Sequence, residues 1–213
     1  MEPGKLVDSI NSSFGNYNVN WFRLRQSKDD AYYYVIEGRS LALNRFDTPQ
    51  EFVKVIEWFD KFWLFLGIKF SLPVKKNSKR IDTQLQTISL SVFQGEDYDD
   101  KKYQLFRAEW DNYSNADNQH AQPHWHITSS QAIETIFDEY TNDSNMRDFL
   151  QILEDEKRKV IDVKRIHFAM NGNWQKEDDN HIHKMEDEEQ VVRWLQGLLA
   201  HLRTELEAFD IKV

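Results

Sequence analysis

Hydrophobic and polar residues alternate with a period of two through much of the chain's first half. Such alternation marks strands with one buried face. Val19 to Arg25 reads as a strand, with Val19 and Trp21 sharing a face. Tyr32 to Phe46 reads as one or two strands interrupted near Gly38. From Gln84 to Phe93, Leu85, Thr87, Ser89 and Ser91 oppose Gln86, Ile88, Leu90 and Val92. An acidic connection, Gly95 to Asp100, follows, and Tyr103 to Asp111 alternates again. The two runs predict a β-hairpin. Pro123 to Ile127 reads as a short strand and Val163 to Met170 as another.

Helical spacing appears elsewhere. Residues 5–14 predict a short helix. Asp47-Thr48-Pro49-Gln50-Glu51 has the form of a helix start, with Thr48 as cap and Pro49 at the first helical position. The helix would carry Phe52, Val55, Ile56, Phe59, Phe62, Trp63 and Leu66 and stop at Gly67, and its apolar residues lie on several faces. Two helices are expected at about 130–141 and 146–153. The clearest, roughly 186–208, has the stripe Val191, Leu195, Leu198, Leu202 and Phe209.

Strands cluster early and helices late. This order predicts an α+β fold: a mostly antiparallel curved β-sheet, helices packed on one face, and a long C-terminal amphipathic helix. No linker or repeat divides the 213 residues, so 1–213 reads as a single domain. Seven Trp, eight Tyr and fourteen Phe supply a large aromatic core.

The net charge of −9 opposes indiscriminate binding to nucleic acid or anionic membrane. Basic clusters at 75–80 and 157–165 read as solvated surface. The absence of cysteine excludes disulfides, thiolate metal sites and cysteine nucleophiles. No apolar run is long enough for a signal peptide or a membrane span. The expected location is cytoplasmic, with no membrane partner.

Phosphate loops, dinucleotide fingerprints, nucleophile elbows and HExxH are absent. One segment carries candidate chemistry. On a strand, Arg107, Glu109 and Asp111 share a face, opposite Phe106, Ala108 and Trp110. His124 and His126 likewise share a face. If the two strands pair, all five polar groups line one surface, and His120 reaches it from the loop between them.

Three readings of this patch stand open. In the first, two or three of His120, His124 and His126, with a carboxylate, hold a divalent metal such as Zn²⁺. In the second, one histidine is the base and another the acid in metal-free phosphodiester cleavage, with Arg107 stabilising charge on the phosphorus oxygens. In the third, the patch is structural, a set of cross-strand ion pairs and hydrogen bonds. His167, His181, His183 and His201 read as structural or loop residues.

Arg107, Asp111-Asn112, a loop histidine and Pro123-His124-Trp125-His126, followed by a helix, resemble the signature of TumE-type toxins of bacterial toxin–antitoxin operons. The resemblance covers about residues 103–141. Ala108-Glu109-Trp110 stands between Arg107 and Asp111-Asn112. The resemblance implies a functional patch of Arg107, Asp111, Asn112, His120, His124 and His126.

These observations predict a component of a toxin–antitoxin or phage-defence system. Arg107, Asp111, His124 and His126 would be catalytic, and Glu109, Asn112 and His120 ligand-binding. The patch would bind or cleave RNA or a nucleotide-like ligand, as a ribonuclease-like or metal-dependent hydrolase. An antitoxin or another system subunit would be the protein partner. The alternative is a non-catalytic interaction subunit of a larger assembly, for which the abundant aromatics supply contact surface.

Overall fold

The structure is a computed structural model that describes residues 1–14, 22–47, 49–72, 83–112, 122–127 and 184–210. Among these it forms two helices, α1 (Pro3–Phe14) and α2 (Glu188–Asp210). The eight strands are β1 (Leu24–Gln26), β2 (Tyr33–Ile36), β3 (Ser40–Asn44), β4 (Glu51–Phe59), β5 (Phe62–Ser71), β6 (Gln84–Gln94), β7 (Tyr103–Asp111) and β8 (His124–Ile127). All the strand pairings are antiparallel and give the order β1-β2-β5-β6-β7-β8, with β4 also on β5 and β3 on β4. The α+β class, the open antiparallel sheet and the C-terminal helix agree with the sequence pattern. No helix among the described residues is long and apolar enough to cross a membrane.

The register sorts the sheet into two faces. Leu64, Val92 and Phe106 form one cross-strand row; Leu66, Leu90 and Ala108 the next; Ile68, Ile88 and Trp110 a third. All nine are buried, in one core with Leu6, Ile10 and Phe14 of α1 and Val191, Leu195, Leu202 and Leu206 of α2. The helices pack against each other as well. Burial of each such large side chain contributes roughly 1.5–3 kcal/mol. The opposite face carries Phe65-Ser91-Arg107-His126, Gly67-Ser89-Glu109-His124 and Lys69-Thr87-Asp111.

The expected helix from 48 to 66 is replaced by the β4–β5 hairpin, which turns at Asp60 (φ 46°). Two causes are visible. Every residue of β5 from Phe62 to Ile68 is buried, so both of its faces are covered. A run apolar at every position carries no period, and the start signal at 47–51 then dominates the reading. Its Phe, Trp, Val and Ile content nonetheless favours strand. Gly67 lies inside β5 and ends nothing.

Two bulges adjust the alternation. An extra residue, Gln86, lies on β6 opposite the Lys69–Phe70 step and moves Leu85 to the core face. An extra residue, Leu105, lies on β7 opposite the Val92–Phe93 step. It places Gln104 on the polar face, where its Nε2 donates to Asn44 Oδ1 and Ser91 Oγ, both at 3.1 Å.

β3 and the first part of β4 leave the main sheet and fold back toward β7, where Ala42 bridges Lys102. Gly38 permits this fold, because a Cβ there would lie 2.4 Å from the Val55 backbone nitrogen. Lys102, fully buried, pins the returning strand. Its ammonium shares three N–H donors among Ser40 Oγ (2.7 Å) and the carbonyls of Leu41 (3.1 Å), Asp97 (3.2 Å) and Asp99 (2.6 Å), and lies 4.6 Å from the Trp63 ring centre. Arg45 extends the seam, donating to the carbonyls of Lys101 (3.1 Å) and Lys102 (2.9 Å).

The expected start of β1 at Val19, the Thr48 cap, both basic clusters, the helices at 130–141 and 146–153, and the strand 163–170 lie outside the described residues. So do His120, His167, His181 and His183.

Lys102→Met keeps the stem and removes the donor to the Leu41 and Asp99 carbonyls, while the Asp97 carbonyl keeps the Ser40 hydroxyl. Unsatisfied buried acceptors cost about 1–3 kcal/mol each before relaxation. The expected loss is about 3 kcal/mol or more, read as a lower midpoint in urea unfolding with an unchanged slope.

Candidate functional site

The cleft lies between the polar face of the sheet and the returning β3–β4 segment. It encloses about 380 Å³ and is floored by Phe65, Gly67, Lys69, Thr87, Ser89 and Glu109. Asn44, Asp47, Glu51 and Val53 form the wall, and Tyr33 reaches in from β2. Hydroxyls and charges line most of the cleft, with Phe65 and Val53 as its apolar patches.

At one end β7 and β8 pair as the alternation predicts, with Glu109 opposite His124 and Arg107 opposite His126. The side chains meet. His124 Nε2 lies 3.0 Å from His126 Nε2. Glu109 Oε2 lies 3.2 Å from His126 Nε2 and 3.8 Å from His124 Nε2. These three residues are the group able to hold a metal ion among the described residues. His126 is the most open, with 37% of its side chain exposed, so the cluster faces solvent on that side. Burial raises the Glu109 carboxyl above its ordinary value; Arg107 opposes the rise, and Asp111 and Asp47 reinforce it.

Arg107 is buried between two acids. Its guanidinium meets Asp47 Oδ1 at 2.5 Å and Glu109 Oε2 at 2.9 Å, and Nε is buried without a hydrogen bond. Phe46 caps it, with the ring centre 5.7 Å from the guanidinium carbon. Sequence reasoning aims this residue at a ligand's phosphorus oxygens. In the structure it joins the cleft wall to Glu109 and also lines the cleft.

Asp111 stays at the same end of β7, and its backbone N–H donates to Gln122 Oε1 at 2.9 Å. Asn112 is occupied by β6: its backbone N–H donates to the Gln86 carbonyl and its Nδ2 to the Leu85 carbonyl at 3.1 Å. His120 cannot be compared, since it lies outside the described residues. His201 is half-buried on α2, away from the cluster.

Sequence reasoning missed four participants. Asp47 was absorbed into a helix cap. Gln122, the residue before Pro123-His124, carries no motif. Tyr33 and Lys69 come from β2 and β5, and only the register brings them to the cleft. The Tyr33 ring lies over Gly67, where a Cβ would sit 2.6 Å from the phenol oxygen. Lys69 is exposed and makes no ion pair among the described residues.

No protein-family model, curated protein or solved structure matches the chain. The site is therefore read from its geometry.

Burial, followed by the nearby charges of Asp47 and Glu51, pushes the Tyr33 phenol up to about 12 from 10.0. A group whose folded pKa is raised adds stability that is complete below its unfolded pKa. Tyr33 should therefore contribute fully below pH 10, and the contribution should vanish as pH climbs to about 12. Phenolate absorbance at this position should appear near the top of that window. Tyr33→Phe should flatten the alkaline fall in the unfolding midpoint.

Proposed function

We infer that the protein is a hydrolytic enzyme acting on a phosphoester of RNA or of a nucleotide-like ligand seated in the cleft. The observation that carries this reading is the convergence of His124 and His126 on Glu109, which itself lines a nucleotide-sized cleft bearing hydroxyls. Binding clefts for ligands of this size span roughly 300–1,000 Å³.

An imidazole or the Glu109 carboxylate of the cluster takes a proton from the attacking water or ribose hydroxyl. The oxygen bonds to phosphorus, the ester bond breaks, and the leaving oxygen receives a proton from the second imidazole. The Lys69 ammonium attracts the anionic ligand. The hydroxyls of Tyr33, Thr87 and Ser89 are placed for sugar or base polar groups. Arg107 holds Glu109 in place and, as part of the cleft lining, is placed to stabilise charge on the phosphorus oxygens. The net charge of −9 favours a small anionic ligand or a strand end over a long duplex, which needs a broad basic surface. The TumE-type resemblance over 103–141 supports assigning this activity to a toxin–antitoxin or phage-defence component, in which an antitoxin or sister subunit would cover the cleft.

A second reading, a non-catalytic subunit of an assembly, draws on the β3–β4 hairpin. Leu41 pairs with Lys54 and Leu43 with Phe52, so these four share its outer face, and Phe52 is 55% exposed. A partner that binds wild-type protein and is lost with Phe52→Asp, in protein without hydrolytic activity, would favour it.

Purified protein should hydrolyse short RNA or nucleotide phosphoesters. A His124→Ala/His126→Ala variant should lose about 10²–10⁴-fold in kcat. Lys69→Ala should raise KM about tenfold with kcat little changed. Turnover that is absent in the wild type, or unchanged in the double variant, rules this activity out.

A further inference from the structure

Three atoms that carry lone pairs converge where β7 meets β8, and a hydrogen-bond argument fixes the chemistry of one of them. Gln122 Oε1 accepts the Asp111 backbone N–H at 2.9 Å. An amide nitrogen could not accept that bond, so the atom is the oxygen. The same oxygen faces His124 Nδ1 at 3.3 Å. Only an N–H faces a carbonyl oxygen favourably, so the proton of the neutral His124 ring is on Nδ1. Its Nε2 is then an acceptor, and it points at His126 Nε2 and Glu109 Oε2.

A proton on His126 Nε2 relieves this crowding along one direction at a time. A cation among the three atoms relieves it along all of them. The spacing fits an ion closely. The separations of 3.0, 3.2 and 3.8 Å describe a triangle whose corners lie about 2.0 Å from a common point. Zinc binds imidazole nitrogen at about 2.0–2.1 Å and carboxylate oxygen at about 2.0–2.2 Å. The mean separation also matches the edge of a tetrahedron built on such bonds, about 3.3 Å.

We propose that Glu109, His124 and His126 form a mononuclear centre for a divalent transition-metal ion, with Zn²⁺ as the best fit, and that Gln122 is its positioning residue. Two imidazoles and one carboxylate form the ligand set of hydrolytic zinc centres, in which a further position takes water or substrate. The surroundings follow the usual pattern of such sites. The non-ligating nitrogen of His124 donates to an amide oxygen, and the ligating carboxylate accepts from Arg107. The ligands stand on paired strands, so their spacing is set by register and not by loop conformation. His126 opens the centre to solvent and gives the ion a way in. Glu109 supplies the carboxylate that the sequence reading of a metal site leaves unnamed, beside two of its imidazoles.

This deepens the hydrolytic reading above and rests on it for the ion's task. It replaces the proton transfers assigned there to the three side chains, because ligation occupies the lone pairs those transfers need and the ion would supply the activated water instead. Metal binding is measured separately from turnover. Chelator-stripped full-length protein, titrated calorimetrically with ZnCl₂, should bind one equivalent. Gln122→Leu should keep the stoichiometry and weaken affinity about 10–100-fold. Glu109→Ala and His124→Ala should weaken it further, while Arg193→Ala, on the exposed side of α2, should match the wild type. A wild-type readout guards against variants that fail to fold: in ¹⁵N-imidazole spectra, zinc should shift Nε2 of both histidines and leave the His124 proton on Nδ1. Absence of stoichiometric zinc binding, or ligation of His124 through Nδ1, overturns the centre. Zinc binding without phosphoester turnover leaves the centre standing and removes the proposed function. Turnover that survives complete metal removal keeps the hydrolytic reading and overturns the ion's task in it.

Discussion

Arg107 joins the two halves of the site. One end of its guanidinium meets Asp47 on the wall and the other meets Glu109 on the floor. Without a cation between them, two carboxylates would repel in a partly dry cleft. A buried charge in turn requires partners, and Arg107 has one on each side. The position of the wall and the aim of Glu109 are therefore set by one ion-pair system. Phe46 extends the coupling, because its ring lies 5.6 Å from the His126 ring and also stacks on Arg107. A shift of the wall would be felt at both ends of the β7–β8 row.

The sheet tolerates a polar face of this kind because its other face is fully apolar. The three core rows and the helices above them supply the burial that stabilises the fold. The polar face can then hold charge, hydroxyls and a glycine. β5 serves both sides, with Leu64, Leu66 and Ile68 facing the helices and Phe65 and Gly67 under the cleft. The seam formed by Lys102, Arg45 and Gln104 lets the β3–β4 segment fold back over this face.

The β6–β7 hairpin and the pairing of β7 with β8 were legible because period-two patterning reports one buried face directly. The patch of Arg107, Glu109, Asp111, His124 and His126 followed from that parity. The β4–β5 hairpin was not legible, since burial on both faces of β5 erases the period. The contributions of Asp47, Lys69 and Tyr33 were hidden for another reason. They reach the site through contacts between strands far apart in sequence, which no local spacing encodes. Gln122 was hidden because a single amide gains its meaning only from the two groups on either side of it.

The bulges at Gln86 and Leu105 divide β6 and β7 into an inner block and outer arms. Inside the block, from Thr87 to Val92 and from Phe106 to Asp111, each residue is committed to one face. Gaining or losing a single residue there would turn Glu109 toward the hydrocarbon and aim Trp110 at the cleft. The turn from Gly95 to Lys101 lies beyond the Leu105 bulge, so it does not set which way the block faces, and its Asp97 and Asp99 carbonyls serve the Lys102 seam instead. Among diverged copies of this chain, changes in length should spare the block, whatever becomes of individual side chains.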